Sequence, residues 1–239
     1  ALDKMDYKNL TYQIKKLYGN KAIKITVKGT LGSDKPMKFD FFTNYTIFGD
    51  GEVFVDNTVI NDNNELMSIP RIGMNMIVPK EMDNFQWYGR GIHQSYQDKK
   101  QSAFIGVYSN QVTDNYWPYI KPQENGNKTD VRWATLTNDN RVGFLTNTQE
   151  KINVSAHHYS LENLTNAKHT YEVKDSGNIT FNIDYKQMGV GGDDSWSPRI
   201  HQEFLLKDKY YRYSFTIRPI DLKSQSLEKL LEKNLPFLR

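Results

Sequence analysis

Along most of this chain, apolar and polar side chains trade places at every second position, as in strands that bury one face and wet the other. Ala22-Ile23-Lys24-Ile25-Thr26-Val27-Lys28 alternates cleanly, and residues 37–48 carry an aromatic or apolar side chain at nearly every second place. The turn Gly49-Asp50-Gly51 has hairpin chemistry, so Glu52-Val53-Phe54-Val55 is expected to pair back on that strand. Residues 72–78, 179–185, 200–206 and 210–217 read as further strands, whereas 10–17 fits the strand and helix periods alike. Loops fall at 29–36 and at Asn61-Asp62-Asn63-Asn64. Two short helical patterns stand apart: 161–167, with Leu161 and Leu164 inward, and 226–233, where Leu227, Leu230 and Leu231 share a face behind a Ser226 cap. This rhythm of short strands and Gly/Asn/Asp turns predicts an all-β chain. Its form is a large antiparallel sandwich, apolar faces packed together and polar faces wet, with a short C-terminal helix. One domain over residues 1–222 and a helical tail over 223–239 account for the length, with no internal repeat and no linker.

The pattern weakens over residues 85–135. That stretch holds Trp87, Trp117 and Trp133, much tyrosine, and the breaks Pro118, Pro122 and Glu124-Asn125-Gly126. Long irregular loops inside a compact domain are usually functional, so these are expected to form a face packed against another domain. An ordinary aromatic core is the competing reading for Trp87 and Trp133, and a weaker one for Trp117.

The most distinctive stretch joins two predicted strands and reads Gln187-Met188-Gly189-Val190-Gly191-Gly192-Asp193-Asp194-Ser195-Trp196-Ser197-Pro198. Gly189, Gly191 and Gly192 leave the backbone free for positive φ, and Asp193 and Asp194 bond nearby amides. Pro198 stiffens the exit. A loop so shaped would project Trp196, whose indole presents a flat face to a sugar ring or an aromatic partner. Alternatively, Trp196 folds back as a lid on the sandwich edge.

Composition narrows the classes. The 239 residues suit one large β domain. A net charge of +3 with 25% charged residues, spread along the chain, indicates neither nucleic acid nor an anionic membrane as partner. No apolar run approaches the roughly 20 residues that span a bilayer. Cysteine is absent, which removes disulfides and thiolate metal sites and leaves the compartment open. His157 and His158 are adjacent on a strand and point to opposite faces, so they do not share an ion. One is expected buried and hydrogen-bonded, the other exposed. Asp193-Asp194 reads as a pair that bonds backbone amides rather than as a catalytic pair.

The segment Met188–Pro198 resembles the terminal signature of the C-terminal domain of family 2 β-galactosidases. The resemblance extends upstream through Gln86-Trp87-Tyr88-Gly89-Arg90-Gly91, Tyr119-Ile120-Lys121-Pro122-Gln123-Glu124-Asn125-Gly126 and Val131-Arg132-Trp133. It takes in Ser155-Ala156-His157-His158-Tyr159-Ser160, Leu164 with His169, and Asn182-Ile183-Asp184. These blocks keep the family's order over about residues 70–218, while residues 1–69 match loosely. The resemblance implies a galactose-mutarotase-like supersandwich, the small-chain domain of an enzyme that cleaves terminal β-D-galactosides such as lactose. It implies that Trp196 reaches into the active site beside the leaving-group sugar. The partners implied are the remaining domains, the β-galactoside and further copies of the subunit, in a bacterial cytoplasm or periplasm.

Retaining glycoside hydrolysis needs two carboxyls about 5–5.5 Å apart. In this family both are glutamates of a central barrel, and the Mg and Na it uses belong to that domain. No barrel pattern of alternating strand and helix occurs here, so the chain alone is expected to be inactive, with no cofactor of its own. Arg90, Glu124, Asn125 and Arg132 fall in the best-matching blocks and are expected to stitch loops or domains together, with Arg90–Glu124 as a pair.

Two departures matter. Ile92-His93-Gln94-Ser95-Tyr96 stands where the family has Pro-His-Glu-Asn-Tyr, which loses a rigid proline and a carboxylate. The family domain also begins earlier than residue 1, so one sheet edge is expected to be unpaired. A freestanding carbohydrate-binding module is the alternative from another class, motivated by 13% aromatic residues and the Trp loop. A small epimerase or mutarotase, with His93 and His169 as acid and base, ranks behind it.

Overall fold

Eleven strands join into one antiparallel sheet that folds over on itself. The computed structural model describes residues 5–19, 21–33, 37–63, 68–193 and 199–232. The strands are β1 (Asp6–Leu17), β2 (Ala22–Gly32), β3 (Lys38–Phe48), β4 (Val53–Asn61), β5 (Arg71–Pro79), β6 (Asn84–Gly91), β7 (Phe104–Gln111), β8 (Lys128–Thr137), β9 (Val142–His157), β10 (Asn178–Gln187) and β11 (Tyr210–Asp221). Two short helices, α1 (Leu161–Asn166) and α2 (Leu227–Glu232), complete the regular structure.

One layer runs β1-β2-β3-β4-β11-β9-β8-β6-β7. The fold-over happens within β9, whose length of 16 residues serves two layers. Its first half pairs with β11 through Thr146↔Ile217 and its neighbours. Its second half pairs with β10 through Ser155↔Asn182, and β10 in turn pairs with β5. Register shifts in β8 between Lys128, Val131 and Trp133 let the partner strand follow the bend.

The core fills the space between the layers. Val55 and Phe215 from one layer meet Ile72, Phe181 and Ile183 from the other, with Phe85 and Trp87 closing the side. Phe85 and Trp87 stack with centroids 4.8 Å apart, and the Trp87 indole donates to the Arg90 carbonyl at 2.9 Å. Trp87 and Trp133 are therefore core residues, and Trp117 is 55% exposed. Residues 85–135 are more regular than their sequence suggests, because β6, β7 and β8 lie within them.

Residues 10–17, ambiguous by period, are extended: β1 turns into β2 through Tyr18 and Gly19, both at positive φ. Among the described residues β1 pairs only with β2, and it exposes Tyr7, Leu10, Tyr12 and Ile14. The predicted strand at 200–206 does not form. Phe204 and Leu205 close a 3-10 turn on the carbonyls of His201 and Gln202, and Leu206 keeps a single bridge to Ile69. Ile200 and Phe204 stand four apart with three polar residues between them, a spacing that fits a helical turn as well as a strand. In α1, Leu164 is buried but Leu161 is 40% exposed, so only one of the two expected leucines points inward.

α2 starts as expected, Ser226 Oγ accepting from Lys229 N at 3.3 Å. Leu230 packs on Trp133, Leu145 and Ile220. Beneath it Arg218 Nε bonds the Glu52 carboxylate at 2.5 Å and Nη1 bonds the Leu230 carbonyl at 2.6 Å, both side chains being buried.

Candidate functional site

The glycine-rich segment leaves the end of β10, and its described part is tied down at four points. Met188 N donates to the Pro70 carbonyl at 2.9 Å and Gly189 N to the Phe204 carbonyl at 3.0 Å. Gly191 N donates to Asp98 Oδ2 at 2.8 Å, and His201 Nε2 meets Asp193 Oδ1 at 2.8 Å. Trp196, Asp194 and Pro198 lie outside the described residues. Gly189 and Gly191 do not adopt left-handed φ, which corrects the expected reason for glycine there. Space decides instead at Gly189, where a Cβ would sit 2.5 Å from Asp98 Oδ2. At Gly191 the same oxygen would be 3.5 Å away, an ordinary contact. A cavity of about 620 Å³, bordered by Gln97, Gln187, Glu203 and Phe204, opens beside the base of the segment.

Asp98 is held in place by a chain of polar contacts that starts in the second layer. Tyr96 and Lys99 exchange backbone bonds at 3.2 and 2.9 Å, closing a tight turn that presents Asp98. Ser95 N donates to the Asn127 carbonyl at 2.8 Å, the Asn127 amide returns a bond to the Ser95 carbonyl at 2.8 Å, and Ser95 Oγ meets Thr129 Oγ1 at 2.8 Å. Tyr96 OH reaches Glu124 Oε1 at 3.4 Å. Glu124 Oε2 then lies 3.5 Å from Arg71, and Arg71 lies 3.1 Å from the buried Asp184. Gly73 faces Asp184 across the strand pair; a Cβ there would collide with Asp184 Oδ1, so only glycine leaves room for that carboxylate.

Burial pushes the Asp184 carboxyl up to about 7, with Arg71 opposing and Glu124 adding to the rise. Arg71 itself stays a cation: burial works against its charge, and Asp184 and Glu124 more than offset that.

Asn125 locks the next turn. Its Oδ1 accepts from Trp117 N and Tyr159 OH, both at 3.0 Å, and its Nδ2 donates to the Gln123 carbonyl at 2.9 Å. Its carbonyl bonds His157 Nε2 at 3.0 Å. Burial pulls His157 down to about 4, so it is a neutral donor there. His158, on the opposite face and half-buried, bonds Asp83 at 2.8 Å. Gly126 follows at φ +75°, where a Cβ would also strike the His157 ring.

The expected Arg90–Glu124 pair does not form. Arg90 instead bonds Asp130 at 2.5 Å and the carbonyls of Lys100 and Ala103 at 3.0 and 2.8 Å, so it closes the far end of the loop that carries Asp98. Asp130 is held below the usual carboxylate range; burial alone would raise it, and its bond from Arg90 together with the charges of Lys100 and Arg90 outweighs that. Arg132 bonds the Asp130 carbonyl and lies 5.3 Å over the Tyr88 ring. All four expected stitching residues therefore make contacts within this chain.

Sequence reasoning missed Asp98, Arg71 and Asp184. Asp98 falls in none of the motifs or predicted strands, and Asn182-Ile183-Asp184 belongs to an alternating strand whose polar face is expected to be wet.

His201 gives the glycine-rich segment itself a pH-sensitive tie. The Asp193 bond and charge raise its pKa, with Glu203 and Asp98 adding to the rise. A raised imidazole pKa makes the pair's contribution complete below the ordinary value of about 6.5 and lost as pH climbs through the folded value. Asp193→Asn is expected to lower the His201 midpoint in an NMR titration; an unchanged midpoint contradicts the pairing.

Comparison with known proteins supplies relatives. A family model described as "Beta galactosidase small chain" matches residues 2–217. A β-galactosidase of Priestia megaterium is 38% identical over 180 residues, which is 75% of this chain and 17% of that protein. One from Vibrio cholerae is 38% identical over 174 residues, 73% of this chain and 16% of its own length. One from Lactobacillus delbrueckii subsp. bulgaricus is 33% identical over 201 residues, 83% and 20% respectively. The chain thus spans about a sixth to a fifth of the curated relatives it matches. Among solved structures, a GalM/aldose epimerase homologue from C. elegans aligns over 88% of this chain and 68% of its own. Its TM-score is 0.42, with 8% identity.

Proposed function

This chain belongs to the β-galactosidase small-chain family, and from that premise we propose that it is the C-terminal domain of a family 2 enzyme that hydrolyses terminal β-D-galactosides such as lactose. Its part is to bring Trp196 to the leaving-group sugar and to hold the multidomain, homo-oligomeric assembly. Bond cleavage is left to the two carboxyls of the catalytic domain.

The observation that carries this reading is the four-point anchoring of the segment leading into Trp196, fixed to Pro70, Phe204, Asp98 and His201. A segment held at its base by backbone amides is suited to present an aromatic face at low entropic cost. Such a face over a sugar contributes on the order of 1 kcal/mol beyond simple burial. The assembly role draws support from Ile92, Phe104, Trp117 and Ile120, all more than half exposed. Large apolar side chains left open to water commonly mark a surface that another domain covers.

The Mg and Na implied by resemblance are assigned by that same resemblance to the catalytic domain. The carboxylates of Asp184 and Glu124 are both turned onto Arg71, and by resemblance the catalytic pair belongs to the other domain. The chain by itself is therefore expected to release no nitrophenol from a nitrophenyl galactoside at any pH. Measurable turnover that follows this polypeptide through purification overturns the division of labour.

A further inference from the structure

We propose that the outer face of the first layer binds an anionic sugar, a hexose bearing a phosphate or a carboxylate, in the cavity bordered by Lys15, Lys24 and Asp56.

Strand register builds the cavity. Lys15 stands opposite Lys24, Lys24 opposite Thr46, and Thr46 opposite Phe54, so the four form one row across β1, β2, β3 and β4. Asn44 and Asp56 face each other in the next row of the same face. That face is turned away from the core, because the intervening Tyr45, Val53 and Val55 pack inward. The rows border a cavity of about 730 Å³, a size that suits a small-molecule ligand.

The charges lining it are divided between its two ends. Lys15 and Lys24 are direct cross-strand neighbours, where like charges repel. Neither has an ion-pair partner among the described residues, so nothing offsets that repulsion. At the other end Arg212 Nε and Nη2 each bond the Asp56 carboxylate at 3.3 Å. Asp56 is thereby neutralised, yet a carboxylate has lone pairs left to accept from hydroxyl groups. The exposed Glu150 borders the cavity as a further acceptor.

Lys24 on β2 and Asp56 on β4 are two strand spacings apart, about 10 Å, which matches a hexose with a charged group on its outermost carbon. Between these ends Asn44 and the buried Thr46 add polar groups, and Leu17 and Phe54 add apolar surface. Apolar surface with a few fixed polar groups suits a ring that is apolar on its faces and polar at its rim. A bare inorganic anion leaves the Phe54 and Asp56 end unused, and a neutral sugar leaves both lysines uncompensated. None of these residues takes part in the ties of the glycine-rich segment, so the proposal is independent of the role of Trp196.

The test is calorimetric titration of the full enzyme that carries this chain, with glucose 6-phosphate, glucuronate, glucose and inorganic phosphate as probes. Lys15→Glu and Phe54→Ala variants are titrated alongside. At least one of the two anionic sugars should bind about tenfold more tightly than glucose or inorganic phosphate, and the tighter one identifies the charged group recognised. Lys15→Glu should weaken that binding at least tenfold. Because the new carboxylate pairs with Lys24, its thermal midpoint should hold or rise, which separates lost recognition from lost folding. Phe54→Ala should weaken the anionic sugar and leave inorganic phosphate unchanged.

Anionic sugars that bind no more tightly than inorganic phosphate overturn the proposal, since the lysines then hold an anion without its sugar. Glucose binding equal to that of both anionic sugars overturns it as well. Affinity retained in a folded Lys15→Glu variant places the binding elsewhere and has the same consequence.

Discussion

Replacing Arg71 with leucine is expected to cost about 3 kcal/mol of folding stability, the low end of the penalty for removing one partner of a buried ion pair. Arg71 is the only cation that ion-pairs with Asp184 or Glu124 among the described residues, at 3.1 and 3.5 Å. Without it, two carboxylates share a site from which water is largely excluded, and Asp184 is buried. Partial exposure of Arg71 and Glu124, at 22% and 28%, lets water compensate in part and keeps the cost low in its range.

The loss should depend on pH. Burial already pushes Asp184 up to about 7, and losing the cation raises it further. A carboxyl whose folded pKa exceeds its unfolded value takes up a proton more readily when folded. Stability therefore falls as pH rises from the unfolded value of about 4 through the folded one. The deficit of Arg71→Leu should thus be larger at pH 8 than at pH 5, and Asp184→Asn in the same background should recover part of it. Urea denaturation at both pH values measures this. A deficit below about 1 kcal/mol, or one that is larger at pH 5, contradicts the account of this network.

The same network shows how far the sequence can be read. Alternation locates β2, β3, β4, β5, β10 and β11, because each has one face in the core and the period of two survives. It errs on what covers the other face. Asn153, Ser155 and His157 on β9, with Thr180, Asn182 and Asp184 on β10, are the polar halves of alternating strands, and alternation assigns such halves to water. All six are buried. Asn182 donates to Ser155 at 2.9 Å, and the Asn125 turn covers His157. A polar face covered by loops and a polar face open to solvent have the same pattern, and only the fold tells them apart.

Spacing misleads at residues 200–206 for a related reason. The backbone there closes a 3-10 turn and lends the Phe204 carbonyl to Gly189, so its groups serve the glycine segment rather than a ladder. Asp98 is invisible to pattern altogether. Its role depends on a partner 93 residues away, and its neighbours are the exposed Lys99 and the half-exposed Gln97 and Lys100. The family resemblance, by contrast, is legible, because it rests on ordered blocks such as Pro122-Gln123-Glu124-Asn125-Gly126, whose side chains lock the turn around Asn125. Within those blocks, the identity of each partner is not. Sign and rigidity pair Arg90 with Glu124, whereas Asp130, in β8, is the carboxylate it meets.

The central claim is that this chain completes a galactosidase active site through Trp196. Its most direct test is Trp196→Ala in the full enzyme, with lactose hydrolysis and transfer to glucose followed separately. The indole face is the only contact asked of this chain at the leaving-group subsite, so the account predicts a selective loss. Glucose should bind about tenfold more weakly, close to 1.4 kcal/mol, and galactose within about twofold of its original affinity. Trp196→Phe should fall between, since a smaller flat face remains. If Trp196→Ala leaves both lactose kinetics and transfer to glucose unchanged, the indole is a lid on the sandwich edge, and the claim that this domain completes the active site is wrong.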